Sequence, residues 1–425
     1  MNEFFIRERI HESLALSVVH NTLHKTNYLT LFFCMPLSAD AASEAALLAH
    51  LITNSSEDYP EMHALRRALA SLYSASISAS TSAIGDTLIL TVHAEFLKDR
   101  YAPKGADILH GVLNFIRSFL RSPRLENGTF SPALVALEKK NAADDARAVF
   151  DNKGRYARRR HIEFMYKSDS FSASPLGKAE IIESLTPERA TEAFYKMLSH
   201  APVEAIFVGE ADKQQLKNAL LSCFDSLQKE PIIPAASKVG EVPADIQNVV
   251  EKTDVKQAHL CLGFRTPIVR GHADHPAFTV ASMLYGSGLT SKLFVNVRER
   301  LSLCYSIAGI YTAQKGFLQV YAGIDAEKRD VAQEEILRQL KKMQTLDISD
   351  EELSHAKSEL TGSFRTLAAT PSSIAAWALP RVLAGVDADP EKEISSLLAV
   401  TKEEAGEAFC TLRPDTFYCL QKEEA

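Results

Sequence analysis

The stretch Ala281–Asp325, ASMLYGSGLTSKLFVNVRERLSLCYSIAGIYTAQKGFLQVYAGID, decides how the rest of the chain is interpreted. It starts with an apolar helical run, and the glycine cluster Gly286–Gly288 predicts a break in that helix. Thr290 is a candidate N-cap for a second helix, whose apolar residues recur at helical spacing. Two β-rich runs follow, and the AQKG turn between them predicts a hairpin with strands over 304–311 and 317–324.

Arg298 and Tyr305 are the residues of this stretch that we single out. Arg298 lies near the end of the predicted helix and Tyr305 near the start of the next strand, seven positions later. The bend between the two elements can aim both side chains into one space. Taken alone, however, such an arginine is more often a solvated helix residue, and such a tyrosine is more often part of the core.

The composition describes a folded protein with no marked affinity for polyanions. The chain has 425 residues, of which 46% are hydrophobic and 24% charged, and its formal net charge is −7. This length favours two to four domains. The acidic balance argues against nucleic-acid binding, because phosphate recognition needs a basic surface.

The sequence also predicts a cytoplasmic protein. No apolar run reaches the roughly 18 residues of a membrane span, and the N-terminus MNEFFIRERIHESL lacks the apolar core of a secretory signal. The six cysteines are scattered, without a C-x-x-C pair, which favours buried free thiols in a reducing compartment. They are Cys34, Cys223, Cys261, Cys304, Cys410 and Cys419.

The opening pattern of helix, polar break, helix and two strands also occurs earlier in the chain. In the first forty or so residues, one strand is expected at Tyr28–Met35 and a helix is expected to start at Ser43. The later change from helix to strand has the sequence SLYSASI at 71–77, which resembles SLCYSIAGI at 302–310. The remaining expected elements are helices over 61–72, 107–121, 131–150, 327–344 and 350–367, and strands over 73–80, 87–95, 203–208 and 416–420. A repeat of roughly 200 residues predicts two similarly folded halves.

We expect an α+β fold, in which each half packs helices on a mainly antiparallel sheet. The proline-bearing segment 228–243 has no periodicity and is predicted to link an N-terminal half, residues 1–235, to a C-terminal half, residues 236–425. The basic cluster within Arg155–His161 is interpreted as a solvated helix face.

Several segments in this order make the chain similar to a known family. They are Gln257 followed by HLCLGF at 259–264, SKLF at 291–294, VRERLSLCYS at 297–306 and GFLQVYAGID at 316–325. The chain resembles the pitrilysin/insulinase family of zinc metallopeptidases, the inverzincins, over essentially its whole length. The resemblance implies two duplicated α+β halves that close like a clamshell around a peptide chamber. It also implies that Arg298 and Tyr305 form the pair that reaches the substrate.

Active members of that family carry H-x-x-E-H on a helix, with a distal glutamate as the third zinc ligand. Here the equivalent positions are His50-Leu51-Ile52-Thr53-Asn54. Residues 50 and 54 still share a helix face, but an amide replaces imidazole and a hydroxyl replaces the general base. We therefore expect no metal in this chain and interpret His50 as an ordinary helix histidine.

Other potential ligands are interpreted as structural or solvated residues. A carboxylate of Asp144-Asp145 can occupy the distal-ligand position, but a surface charge is the alternative. The pair His20 and His24 lies in a polar lead-in to a strand, and the pair His272 and His275 lies in a loop.

The resemblance, with the zinc motif lost and Arg298 and Tyr305 kept, implies the non-catalytic subunit of a heteromeric zinc metallopeptidase. Its expected partner is a zinc-bearing sister subunit, and its expected ligand is a peptide. The chain itself is expected to hold no cofactor and to be inactive alone. Two alternatives stay open: a peptide-binding or scaffold protein without a role in catalysis, and a self-sufficient metallopeptidase.

Overall fold

Each of the two large sheets in this protein combines strands that are distant in the sequence. The structure is a computed structural model that describes residues 5–54, 56–224, 230–367 and 369–423. The strands are β1 (Ile6–His11), β2 (Leu14–His20), β3 (Thr26–Pro36), β4 (Ser76–Ile84), β5 (Thr87–Leu97), β6 (Leu125–Glu126), β7 (Thr129–Phe130), β8 (Val203–Gly209), β9 (Gln247–Thr253), β10 (Ala258–Arg265), β11 (Cys304–Thr312), β12 (Phe317–Ile324) and β13 (Arg413–Lys422).

The α-helices fill most of the chain between these strands. They are α1 (Ala39–Ile52), α2 (Met62–Ser71), α3 (Ile108–Arg121), α4 (Pro132–Arg147), α5 (Lys153–Met165), α6 (Ala179–Ser184), α7 (Pro187–His200), α8 (Lys213–Phe224), α9 (His275–Ser282), α10 (Arg329–Gln344), α11 (Asp350–Leu367), α12 (Pro371–Leu383), α13 (Pro390–Ala399) and α14 (Lys402–Phe409). Two π-helical segments, Met283–Ser287 and Leu293–Arg300, follow α9. In the described part of the chain, no helix combines the length and apolar character needed to cross a membrane.

The chain divides into two compact units. The first contains the described residues of Met1–Ala148, Ala173–Ala236 and Ala368–Leu379, and the second contains those of Val149–Ser172, Ser237–Leu367 and Pro380–Ala425. The chain passes from the first unit to the second between Ala236 and Ser237, one residue after the predicted boundary at 235. Residues 230–243 of the predicted linker form neither helix nor strand, whereas Gln228 and Lys229 lie outside the described residues.

The first sheet has the order β1-β2-β8-β3-β5-β4, and all pairs are antiparallel except β2 with β8. Alternate side chains of β3 explain its central place, because Leu29, Leu31 and Phe33 point into the main hydrophobic core. The same core takes up the apolar faces of α1 and α3. β4 stays at the edge of the sheet and alternates between exposed and half-buried residues.

The second sheet repeats this arrangement and confirms the predicted α+β fold with two similar halves. Its order is β11-β12-β10-β13-β9, again antiparallel except for the last pair. Counted from the edge hairpin, β11, β12, β10, β13 and β9 take the places of β4, β5, β3, β8 and β2. The predicted strands over 304–311 and 317–324 are present, and β11 extends one residue further.

The interpretation of Arg155–His161 as a solvated face is wrong. Helix α5 packs on the second sheet, and its residue His161 is fully buried. The imidazole Nε2–H donates to the Thr416 carbonyl at 2.8 Å, and the Gln319 amide donates to Nδ1 at 2.7 Å. Arg160 pairs with Glu251 of β9 at 3.0 Å. The basic residues are therefore polar anchors of a buried helix, a role that charge counting does not distinguish from solvation.

The expectation of a single strand in the first forty residues is also wrong, since β1 and β2 precede β3. β1 is an edge strand in which the charged residues Arg7, Glu8 and Arg9 interrupt the apolar alternation. Such charges are common on edge strands, where they hinder pairing with other chains. They also hide the strand from a search for alternating apolar residues.

Two predicted helix caps are displaced. Helix α1 begins after Ser38, whose side chain accepts the Ala41 N–H, whereas Ser43 is buried inside the helix and accepts the Lys178 N–H at 3.0 Å. In the second unit the Ser291 hydroxyl, not that of Thr290, accepts a backbone N–H from the following turn, at 3.3 Å. Where several hydroxyl residues lie near the start of a helix, the sequence does not determine which of them caps it.

We predict that His161 makes the fold sensitive to acid. Burial lowers the pKa of His161 from its ordinary 6.5 to about 4, so between these values the unfolded chain binds a proton that the folded chain does not. The stability from this residue is complete above pH 6.5, falls as pH decreases, and is reduced by about 3 kcal/mol at pH 4. Urea unfolding at pH 7 and pH 4 measures the loss.

The matched variants are His161→Gln, which cannot take up a proton, and His110→Gln, which changes an exposed histidine. His161→Gln is expected to be less stable at pH 7 but to lose less stability on acidification than wild type. An unchanged loss in this variant, equal to that of His110→Gln, would contradict the assignment.

Candidate functional site

The glycine cluster in the opening stretch allows close packing rather than a simple helix end. A Cβ added to Gly286 would lie 2.8 Å from the Gly309 nitrogen, so the π-helical segment Met283–Ser287 can press directly on β11. The Ser287 hydroxyl donates to the Gly309 carbonyl at 2.7 Å. This contact fixes the first π-helical segment, which precedes the segment that carries Arg298, against the strand that carries Tyr305.

Arg298 lies on the second π-helical segment, Leu293–Arg300, near its end. Leu293 and Val297 bury one side of this segment, while the Arg298 guanidinium stacks over the Phe294 ring at 4.6 Å. Its nearest carboxylate oxygen, on Glu299, is 3.8 Å away, and no hydrogen bond from Arg298 is found among the described residues. The guanidinium therefore keeps its fork of donors available for a ligand.

Tyr305 is placed by a β-bulge. Cys304 pairs with Ile324 and Ser306 with Gly323, so Tyr305 is an extra residue without a partner on β12. A bulge bends its strand and re-aims a side chain, and here 62% of Tyr305 is exposed. Its hydroxyl donates to Asp325 Oδ1 at 2.7 Å.

The structure brings Arg298 and Tyr305 to the same open cleft of about 350 Å³. Asp325 and Lys328 line it as well, with the Lys328 ammonium 3.1 Å from Asp325. The hydrogen bond and negative charge of Asp325 raise the pKa of Tyr305 above its ordinary value, so the phenol stays protonated at neutral pH. The same hydrogen bond, with that from Lys328, lowers the pKa of Asp325. The cleft thus offers a phenol donor and a free guanidinium.

Asp325 is a site residue that sequence reasoning missed. A signal for it exists, because the hairpin formed around the predicted turn at 313–316 pairs Cys304 with Ile324, the residue before Asp325. Asp325 therefore follows β12 directly, beside the end of β11 from which Tyr305 projects.

The degenerate zinc-motif helix ends in a polar cluster within the first unit. The Asn54 amide donates to Glu138 Oε1 at 2.7 Å, and His50 Nδ1 lies 3.5 Å from Glu138 Oε2. Asn141 donates to the same Glu138 oxygen at 3.0 Å, and His50 Nε2 lies 3.2 Å from Asp145. The structure thus brings His50 and Asn54 together around a buried glutamate, whereas Thr53 is the residue that ends α1.

Glu138 was also missed in the sequence, although the spacing of the polar residues around it indicates a common helix face. Glu138, Asn141 and Asp145 follow each other at intervals of three and four residues, which places them on one face of α4. Of the two carboxylates considered for the distal-ligand position, Asp145 contacts His50 but is 66% exposed, and Asp144 pairs with Arg147 at 3.6 Å. Glu138 is the carboxylate held against both positions 50 and 54.

These residues do not fit a catalytic zinc ion. The Asn54 amide donates to Glu138 through its nitrogen, and an N–H₂ group cannot coordinate a metal. His50 faces Glu138 with Nδ1 and Asp145 with Nε2, so the two carboxylates do not meet at one ring nitrogen, whereas a catalytic zinc ion normally has three protein ligands around one point. Within the described residues, no three His, Cys, Asp or Glu side chains are arranged to hold a metal ion.

The two other histidine pairs lie in different units. His20 ends β2 and His24 lies in the loop before β3. His272 Nδ1 accepts the Asp274 N–H at 3.1 Å, and His275 is the first residue of α9.

Comparison with known proteins connects this geometry to a peptidase family. Residues 184–360 match the family described as "Peptidase M16 inactive domain". The chain is 27% identical over 369 residues to the "Probable inactive metalloprotease YmfF" of Bacillus subtilis (strain 168), covering 87% of this chain and 86% of the relative.

Solved structures share the fold over nearly the whole length. A conserved protein from Enterococcus faecalis V583 superposes with a TM-score of 0.91 at 22% identity, covering 99% of both chains. The peptidase M16 inactive domain from Pseudomonas fluorescens superposes with a TM-score of 0.76 at 16% identity, covering 100% of this chain and 99% of the other. At these identities the structural likeness establishes the fold alone.

We predict that replacing one amide creates a zinc site. Asn54→His adds an imidazole beside His50 and Glu138, which completes a set of three zinc donors. The variant is expected to bind about one zinc ion per chain and, at a free zinc concentration 100 times its dissociation constant, to gain about 2.7 kcal/mol of stability. Elemental analysis after dialysis and thermal unfolding with and without zinc measure both effects.

Thr53→Glu is the control, because it supplies the general base without a new ligand and should gain no zinc. Adding Glu138→Gln to Asn54→His is expected to abolish the binding. Retained zinc in that double variant would show that Glu138 is not part of the site.

Proposed function

Because the chain belongs to the pitrilysin/insulinase (M16) peptidase family as a member without a complete catalytic site, we propose that it is the non-catalytic subunit of a heteromeric zinc metallopeptidase. The observation that carries the proposal is the contrast between its two sites. The cleft keeps Arg298 and Tyr305 side by side, while the helix that would bind zinc presents an amide to Glu138. The chain thus has the two residues proposed to bind substrate, but the helix equivalent to the zinc-binding one does not present a set of zinc ligands.

Hydrolysis then depends on a second chain that brings zinc. A metal-activated water needs a metal and a general base, and neither the Thr53 hydroxyl nor the Asn54 amide can serve. The proposed partner is a zinc-bearing sister subunit of the same family, and this chain contributes half of the peptide chamber. The six unpaired cysteines agree with a shared location in the reducing cytoplasm.

Within the pair, Arg298 and Tyr305 hold the peptide. The free guanidinium of Arg298 can donate two parallel hydrogen bonds to a peptide carbonyl or carboxylate. The Tyr305 phenol, kept protonated, can donate to the oxygen of the carbonyl as negative charge develops there. Because Asp325 accepts that donor in the free chain, the phenol must turn from Asp325 to the substrate oxygen.

The edge strand β4 is a second proposed contact for an extended peptide. It is unpaired on its outer side within the described sheet, and a peptide can add there as a further strand. In the family this role normally accompanies the zinc-bearing half, so β4 here is assigned to binding alone.

Two rival functions give different results in the same assay. A peptide-binding scaffold without a part in catalysis would tolerate loss of Arg298 with unchanged turnover. A self-sufficient metallopeptidase would carry stoichiometric zinc and cleave peptides without a partner.

We predict that Arg298→Ala and Tyr305→Phe each reduce kcat/KM of the reconstituted pair by about 100-fold, the usual effect of removing a donor to a developing oxyanion. The measurement is peptide cleavage by the pair co-purified from cells that express both chains. Arg298→Lys is expected to recover only part of the activity, because an ammonium lacks the planar fork.

Arg300→Ala is the matched control, since Arg300 is an exposed arginine on the same π-helical segment and, among the residues that the structure describes, its side chain hydrogen-bonds only to Asn296. All variants should co-purify with the partner at the wild-type ratio. Full turnover in Arg298→Ala and Tyr305→Phe would favour the scaffold function and overturn the assignment of this pair.

A further inference from the structure

A group of basic side chains surrounds the loop between β10 and α9, and the proposed function does not use it. Arg270 lies in this loop, which is tied to the β11–β12 turn by a 2.9 Å hydrogen bond from the Arg270 N–H to the Ala313 carbonyl. His275 begins α9, and Arg381 comes from α12. The Tyr311 ring lies 5.9 Å from the His275 ring, and its hydroxyl donates to Ile268 at 2.8 Å.

The ion pairs of this group leave one positive charge, that of Arg270, without a carboxylate partner among the described residues. Arg381 makes a two-pronged ion pair with Glu393, at 2.7 and 2.5 Å, which neutralises that carboxylate. Arg270 has no ion-pair partner in the described part of the chain, although its side chain is largely removed from solvent. Burial and the charge of Arg381 lower the pKa of Arg270 to about 10, which leaves the guanidinium protonated at neutral pH.

Two buried nitrogen atoms in this group lack a hydrogen-bond partner in the part of the chain that the structure describes. They are Nε of Arg270 and Nε2 of His275. Buried polar groups in proteins are paired in the large majority of cases, so each exception needs an explanation. The two atoms belong to one electrostatic neighbourhood, since burial and then the charges of Arg270 and Arg381 lower the pKa of His275 to about 3.

We propose that Arg270 and His275, with Arg381 behind them, form a binding site for an oxyanion, namely a phosphate or carboxylate group. An oxyanion accepts a hydrogen bond from the Arg270 Nε–H and, with the imidazole proton on Nε2, another from His275, and it supplies the negative charge that Arg270 lacks. A water molecule could accept the same hydrogen bonds, but it would leave the buried positive charge uncompensated. The site does not depend on the proposed peptidase role.

The test is thermal unfolding of the complete chain in buffers of constant ionic strength, in which chloride is replaced stepwise by inorganic phosphate or by acetate. Wild type is expected to gain about 3 °C in Tm, with saturation, in the anion that fits. Phosphate alone would indicate a phosphate ligand, and acetate alone or both anions would indicate a carboxylate.

Arg270→Gln and His275→Gln are expected to lose this gain, while Arg66→Gln, which changes an exposed arginine in α2, keeps it. Without the anion, Arg270→Gln should unfold no lower than wild type, because it removes an uncompensated buried charge. Absence of a saturable shift in wild type with either anion would overturn the proposal, as would equal shifts in wild type, Arg270→Gln and His275→Gln. Should a variant not fold, calorimetric titration of wild type with phosphate and with acetate replaces it, and the absence of saturable binding of both anions would overturn the proposal.

Discussion

The hydrogen bond from the Asn54 amide to Glu138 is the interaction on which the functional account rests. Zinc needs a lone pair from each of its ligands, and here the amide nitrogen donates a hydrogen bond to the glutamate instead. Positions 50 and 54 lie one helical turn apart near the end of α1, and the buried carboxylate of Glu138 on α4 lies against both. These side chains form a polar cluster whose donor set does not fit zinc.

In the second unit, local backbone geometry places Arg298 and Tyr305 at one cleft. A bulge leaves Tyr305 without a cross-strand partner, and the hairpin register places Asp325 within 2.7 Å of its hydroxyl. Arg298 reaches the same cleft from a π-helical segment, and both bulges and π-helical segments are frequent at functional sites. Because these features are local irregularities in otherwise regular elements, they position side chains that a regular strand and α-helix would aim elsewhere.

Much of the fold could be predicted from the sequence where apolar periodicity is strong. The hairpin of β11 and β12 and the helix α11 are confirmed almost residue for residue, and the repeat of the sheet order follows from the matching helix-to-strand transitions. β1 was missed because charges break its alternation. Helix α5 was misjudged because its buried contacts are made by His161 and arginines, whose partners on the second sheet are distant in sequence.

The sequence indicates the candidate site most directly where its residues are neighbours along one helix. The positions that the family resemblance aligns with the zinc motif lie within one helical turn, so their side chains can be compared with zinc ligands from five residues alone. Asp325 and Glu138 depend on pairing between elements, and the sequence indicates them only after the hairpin register and the helix faces are fixed. The cluster of Arg270 and His275 depends on tertiary packing, which periodicity does not describe.

The most direct test of the account is the metal content and peptidase activity of the purified, isolated polypeptide. Hydrolysis requires donors that positions 53 and 54 do not supply, so the account predicts less than a tenth of a zinc ion per chain, on the order of background. It also predicts no peptide cleavage until a zinc-bearing sister chain is added. Stoichiometric zinc lost on changing His50, together with cleavage by the polypeptide alone, would contradict it.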